Sequence, residues 1–128
     1  MTPSESITND VRRIQGFAAI FGFVAVALGA FGTHALKKTL NAADLQIFQT
    51  GVQYHLMHAA VALFAASFFR RAAVLFLLGI TIFSGSLYVL SVFQIKAFGA
   101  IAPIGGTLLM AGWIALAVKF FVPKDRFE

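Results

Sequence analysis

Residues 72–93 read AAVLFLLGITIFSGSLYVLSVF, without a single charge, entered through Arg70-Arg71 and left through Gln94. A hydrocarbon core of about 30 Å needs roughly 20 apolar residues in a helix to cross it, so this stretch is long enough by itself. A barrel strand would instead alternate in polarity over about 10 residues. Working outward, three runs of the same kind surround it, at residues 14–32, 52–69 and 98–122. The spans predict an all-α integral membrane protein: a four-transmembrane-helix bundle forming one transmembrane domain over residues 1–128.

Composition agrees. Of the 128 residues 59% are hydrophobic and 12% charged, and the mean hydropathy of +0.86 lies far outside soluble habits. The spans leave no room for a soluble catalytic domain. The net charge of +5 does not point to nucleic acid, because the basic residues flank apolar segments and read as membrane anchors. With no cysteine, disulfides, thiolate metal sites and covalent haem attachment are excluded. The first run is longer than the ~7–15 apolar residues of a signal peptide, so a retained helix is expected.

Placing the N-terminus in the cytoplasm puts Arg12, Arg13, Arg70, Arg71, Lys119, Lys124 and Arg126 inside and Lys37, Lys38 and Lys96 outside. Seven against three favours both termini cytoplasmic, with Arg70-Arg71 as the turn between helices two and three. His34, His55, His58, Tyr88, Ser91 and Gln94 then crowd the outer half. A bundle built only as an anchor needs no such asymmetry, and an imidazole in hydrocarbon is a functional candidate by default.

Small residues predict the seams. Ala18, Gly22, Ala25, Gly29 and Gly32 repeat at spacings of four and three, which suits close helix packing in lipid and predicts a central helix one. His55, His58, Ala59, Ala62 and Ala66 share one arc of helix two, turning both imidazoles inward. Thr81, Ser84, Tyr88 and Ser91 share a face of helix three. Gly105, Gly106 and Gly112 thin helix four, where Pro103 either sits in the first turn or marks a kink. Asn41 and Asp44 predict the start of a short amphipathic helix to about Thr50, lying between helices one and two, with Gly51 as the bend after it.

The segments Gly29-Ala-Phe-Gly-Thr-His-Ala-Leu36, Thr50-Gly-Val-Gln-Tyr54 with His58, Phe83-Ser-Gly-Ser-Leu-Tyr88 and Pro103-Ile-Gly-Gly106 leading to Gly112-Trp113 together resemble the domain of unknown function 423 family. The resemblance runs in order over nearly the whole chain. It implies four helices and a multi-pass location in the bacterial cytoplasmic (inner) membrane, with no activity attached. Its family-like positions include His34, Tyr54, His58, Ser84, Gly85, Ser86 and Tyr88, but not His55.

The candidate ligand or polar cluster is therefore His34, Tyr54, His55, His58, Ser84, Ser86 and Tyr88, centred on His58. A metal held by His34, His55 and His58 with Asp44 is set against interhelical hydrogen bonding, and the latter is favoured because the pattern lacks a third ligand at defined spacing. Haem would need His34 opposite one of the other two; a quinone or lipid head group needs fewer constraints. No cofactor is predicted outright.

A proton-coupled carrier is disfavoured because all five acids fall outside the spans. Hydrolysis is disfavoured because Ser84-Gly-Ser86 is not a nucleophile elbow. Trp113 reads as core packing. The expected function is non-enzymatic: an accessory or assembly protein, or a small-ligand binder, partnered by the bilayer and by copies of itself or other membrane subunits. A metal, haem or quinone redox role is the alternative, and a small channel or carrier the third.

Overall fold

The computed structural model describes residues 1–126 and is helical throughout, with no strand among the described residues. Four helices follow in order: α1 from Pro3 to Leu36, α2 from Ala42 to Ala65, α3 from Arg70 to Phe93 and α4 from Phe98 to Phe121. Three of them, α1, α3 and α4, are long and apolar enough to cross a membrane. α2 is equally long as α3 but carries the polar residues of Asn41–Thr50 and its two histidines.

The boundaries differ from the sequence reading at both ends of α1. The first apolar run begins at residue 14, but the helix starts at Pro3, because Thr2 and Glu5 form a capping box: the Glu5 amide donates to Thr2 Oγ1 at 3.2 Å and the Thr2 amide to Glu5 Oε2 at 2.7 Å. At the other end Leu28–Gly32 form one π turn, after which helix resumes over Thr33–Leu36. The family-like glycines Gly29 and Gly32 lie in this turn. A Cβ on either would stand 3.1 Å from a side chain of α2, Val52 or Phe48, so the glycines let α1 close on α2 there.

The expected separate amphipathic helix is the first part of α2, capped by Asn41 Oδ1 accepting from the Asp44 amide at 2.8 Å. Gly51 is not a bend. It is buried mid-helix, where a Cβ would come to 2.8 Å from Tyr88 Cε1, so its smallness serves packing against α3. Likewise Arg70 and Arg71 are not the turn between α2 and α3: Ala66–Phe69 make that turn, and the arginines open α3. Arg70 meets Asp10 of α1 at 3.2 Å, and Lys119 sits 4.9 Å over the Phe69 ring. α3 ends at Gln94, the only non-glycine residue with positive φ among those described (58°).

The central helix is α3, not α1. It packs along α2 on one side and α4 on the other, while α1 lies against α2 and barely meets α3. The reason is steric. On the α3–α4 seam a Cβ at Gly112 would lie 2.6 Å from Phe76 Cε1, and one at Gly105 would enter the Phe83 backbone, so the helices touch main chain to side chain at Gly112 and main chain to main chain at Gly105, as small residues allow in lipid. In α1 only Ala18 and Ala25 of the expected seam are fully buried, and nothing lies within 4 Å of a Cβ at Gly22. Pro103 lies inside α4, beyond its first turn. The core is Ala59, Ala62, Ala65, Ala73, Phe76, Ile80, Leu109 and Leu116, and Phe23, Phe64, Ile114 and Phe120 stand on the outer surface.

Candidate functional site

Both histidines of α2 are inward and buried, as their shared arc with Ala59, Ala62 and Ala66 predicts. They meet different neighbours. Three residues is 300° around a helix, so the rings diverge by about 60°, enough to turn His58 toward α4 and His55 toward α1.

His58 has both ring nitrogens engaged. Nδ1 lies 2.8 Å from the Tyr54 carbonyl one turn back, an acceptor only, so Nδ1 carries the proton. Nε2 must then accept, and it does so from Trp113 Nε1–H of α4 at 3.0 Å. The imidazole is a neutral ring fixed in one tautomer, stacked near-parallel on Tyr54 and packed on Phe76 and Trp113. It has no lone pair left for a ligand. Trp113, read from sequence as plain packing, is 44% exposed and supplies this bond. Its position in the Gly112-Trp113 motif was a signal; its donor could not be paired without knowing which faces of α2 and α4 meet.

His55 keeps more freedom. Its Nδ1 is 2.9 Å from Tyr88 Oη of α3, with the Phe21 ring of α1 edge-on at 5.9 Å. A neutral imidazole and a phenol own two donatable protons between them, and the shared bond uses one. Around this pair opens a crevice of about 280 Å³ between α1 and α3, lined by Ile20, Phe21, Val24, Ile80, Thr81 and Gly85. Unlike the seam glycines, Gly85 has nothing within 4 Å of where its Cβ would be: the space its missing side chain leaves is part of the crevice.

The other four expected members of the cluster, Ser84, Ser86, His34 and Tyr54, do not join this pair as donors. Ser84 donates to the Gly51 carbonyl at 2.7 Å and ties α3 to α2. Ser86 is buried but lies 200° around α3 from Ser84, so the two serines do not share a site. His34 is exposed at the end of α1, outside the cluster. Tyr54 is 39% exposed, contributing its carbonyl and its ring face to His58. No group of three or more His, Asp or Glu side chains that could hold a metal occurs among the described residues, so His34, His55, His58 and Asp44 are not gathered into a ligand set. Asp44 instead accepts from Gln94 Nε2 at 3.1 Å, latching the start of α2 to the end of α3.

Residues 28–106 match the family described as "Protein of unknown function (DUF423)", a stretch that holds the π turn, both α2 histidines and Tyr88. The UPF0382 membrane protein YwdK of Bacillus subtilis (strain 168) is 44% identical over 110 residues, covering 78% of this chain and 89% of its own. The UPF0382 inner membrane protein YgdD of Escherichia coli (strain K12) is 40% identical over 110 residues, covering 80% and 84%. A UPF0382 membrane protein of Haemophilus influenzae is 43% identical over 114 residues, covering 84% and 92%. No solved structure matches the chain. The chain thus belongs to the DUF423 family, the UPF0382 membrane proteins, to which no function is assigned.

Proposed function

We propose that this chain is a non-enzymatic, four-span protein of the bacterial cytoplasmic membrane, both termini cytoplasmic, that holds a small lipid-soluble ligand in its outer half. The observation that carries the reading is the His55–Tyr88 pair beside a crevice that Gly85 leaves open. A glycine within a helix costs about 1 kcal/mol relative to alanine in water, and the neighbouring helices require no such gap at this position. A ligand provides the reason for it. The lining is otherwise apolar save for the Thr81 and Ser84 hydroxyls, both bonded to main-chain carbonyls, so the ligand arrives from the bilayer and not from water.

Four spans are supported by α2 lying along both α1 and α3. At 24 residues it is about 36 Å long, which matches the depth its neighbours must cross. The orientation rests on the seven-to-three distribution of basic residues. Lys37 and Lys38 are then expected to react with a membrane-impermeant amine reagent from the periplasmic side, and reaction from the cytoplasmic side alone would reverse the topology.

The test of the binding reading is solvent extraction and mass spectrometry of gently purified protein, wild type beside Gly85→Leu. The wild type should retain a lipid-soluble molecule in stoichiometric yield that the variant has lost. Equal retention by two equally folded proteins would remove the crevice as a site.

A further inference from the structure

The crevice constrains what it can hold, first by size. About 280 Å³ lies at the lower edge of ligand pockets, which run roughly 300–1,000 Å³. It accommodates one ring and the beginning of a tail, and is too small for haem or for two acyl chains.

Polarity is the second constraint. Of the two protons that His55 and Tyr88 own, one remains after their mutual bond, and among the described residues neither side chain makes a second hydrogen bond. Ser84 and Thr81 have committed their protons to the Gly51 and Leu77 carbonyls. The crevice therefore offers one donor, no charge and no metal-ligating set. It suits a neutral molecule that presents one acceptor oxygen.

Depth is the third. Tyr88 lies five residues before the Phe93 end of α3, about 8 Å along the axis. A 24-residue helix exceeds a 30 Å core by about 3 Å at each end, which places Tyr88 about 5 Å inside the hydrocarbon and His55, well along α2 from its Ala42 start, deeper still. A phospholipid head does not descend that far, and its acyl chains have no acceptor to offer there. A flat ring bearing carbonyl oxygens on an apolar tail meets all three constraints.

Building on the ligand-binding reading above, we propose that the crevice binds the ring of a lipid-soluble quinone, one carbonyl oxygen accepting the proton that the His55–Tyr88 pair has to spare while Phe21 and Ile80 flank the ring. The binding is non-covalent and requires no electron transfer. Decylubiquinone titrated into the full chain in phosphatidylcholine nanodiscs is the probe, with protein-free discs as the partition control. Wild type should bind saturably.

Tyr88→Phe alone leaves His55 its own proton to donate, so the variant that tests the donor is Tyr88→Phe with His55→Phe, which keeps two rings but owns no proton and should weaken binding about tenfold. Gly85→Leu should abolish it, and Ile114→Ala, on the outer face of α4, should leave it unchanged. Unsaturable uptake by wild type, or equal affinity for wild type and the Tyr88→Phe, His55→Phe variant, overturns the quinone assignment. If wild type fails to bind decylubiquinone yet loses a different extracted lipid on Gly85→Leu, the quinone class falls and the crevice stands. If wild type and Gly85→Leu retain the same lipids, both fall.

Discussion

His55 and His58 stand three residues apart on one helix, both inward, yet their surroundings differ. His58 faces the tight side of the bundle, where α3 and α4 meet across glycines, and each of its nitrogens has a protein partner. His55 faces the loose side, where α1 barely reaches α3, and among the described residues its side chain bonds Tyr88 alone. The difference teaches that a buried histidine in a membrane bundle becomes a site through what its neighbours leave unused, and not through its own burial. The tight side spends its polar groups on structure. The loose side retains one proton and a volume.

Glycine substitutions break this comparison most severely. Gly105→Leu would force a side chain into the Phe83 backbone on the tight side, and overpacking of that kind costs on the order of 3 kcal/mol. Thermal unfolding in detergent should show a large drop or no folded protein. Gly85→Leu on the loose side meets open space and should shift stability by no more than about 0.5 kcal/mol. Equal damage from both would mean that the crevice is closed by α1 in the membrane.

The hydrogen bonds come next in size. Trp113→Phe leaves His58 Nε2 with no donor in a buried place, and should cost about 1 kcal/mol, within the range of interhelical bonds in lipid. Nitrogen NMR should find His58 as the Nδ1–H tautomer in wild type; an Nε2–H or doubly protonated ring would undo the assignment. Tyr88→Phe removes one bond from a pair with room to rearrange, and should cost less, about 0.6 kcal/mol.

What the sequence could and could not foretell follows the same division. Periodicity along one helix was legible: the arc that buries His55, His58 and the alanines, the Asn41 cap and the thinning glycines of α4 are all local patterns, and they hold. Pairings between helices were not, because nothing local says which faces meet. Hence Trp113 was separated from His58, Ser86 was grouped with Ser84 from which it points away, and α1 was made central on the strength of a stripe that faces α2 over only part of its length. Gly51 was given a bend's role because the sequence shows an absent side chain but not the Tyr88 ring that needs its space.

The smallest effect lies at the start of α1, which extends as an exposed helix from its Thr2–Glu5 box. The Thr2 amide and hydroxyl both donate to the Glu5 carboxylate, at 2.7 and 2.9 Å, and hold its pKa below the ordinary value of 4.5. A group whose folded pKa is depressed contributes stability above its unfolded value and loses it as pH falls through the folded one. Amide exchange at Glu5 and Ser6, whose amides bond Thr2, should therefore accelerate as pH is lowered below about 4.5, after correction for the intrinsic rate. Glu5→Gln should flatten that dependence, because an amide can still close the box but does not titrate. At the same pH values the amides around His58, held by Tyr54 and Trp113, should stay protected. Parallel loss in both places would mean that the exposed start of α1 and the tight side of the bundle open as one unit, whereas the sparse contact between α1 and α3 requires them to open separately.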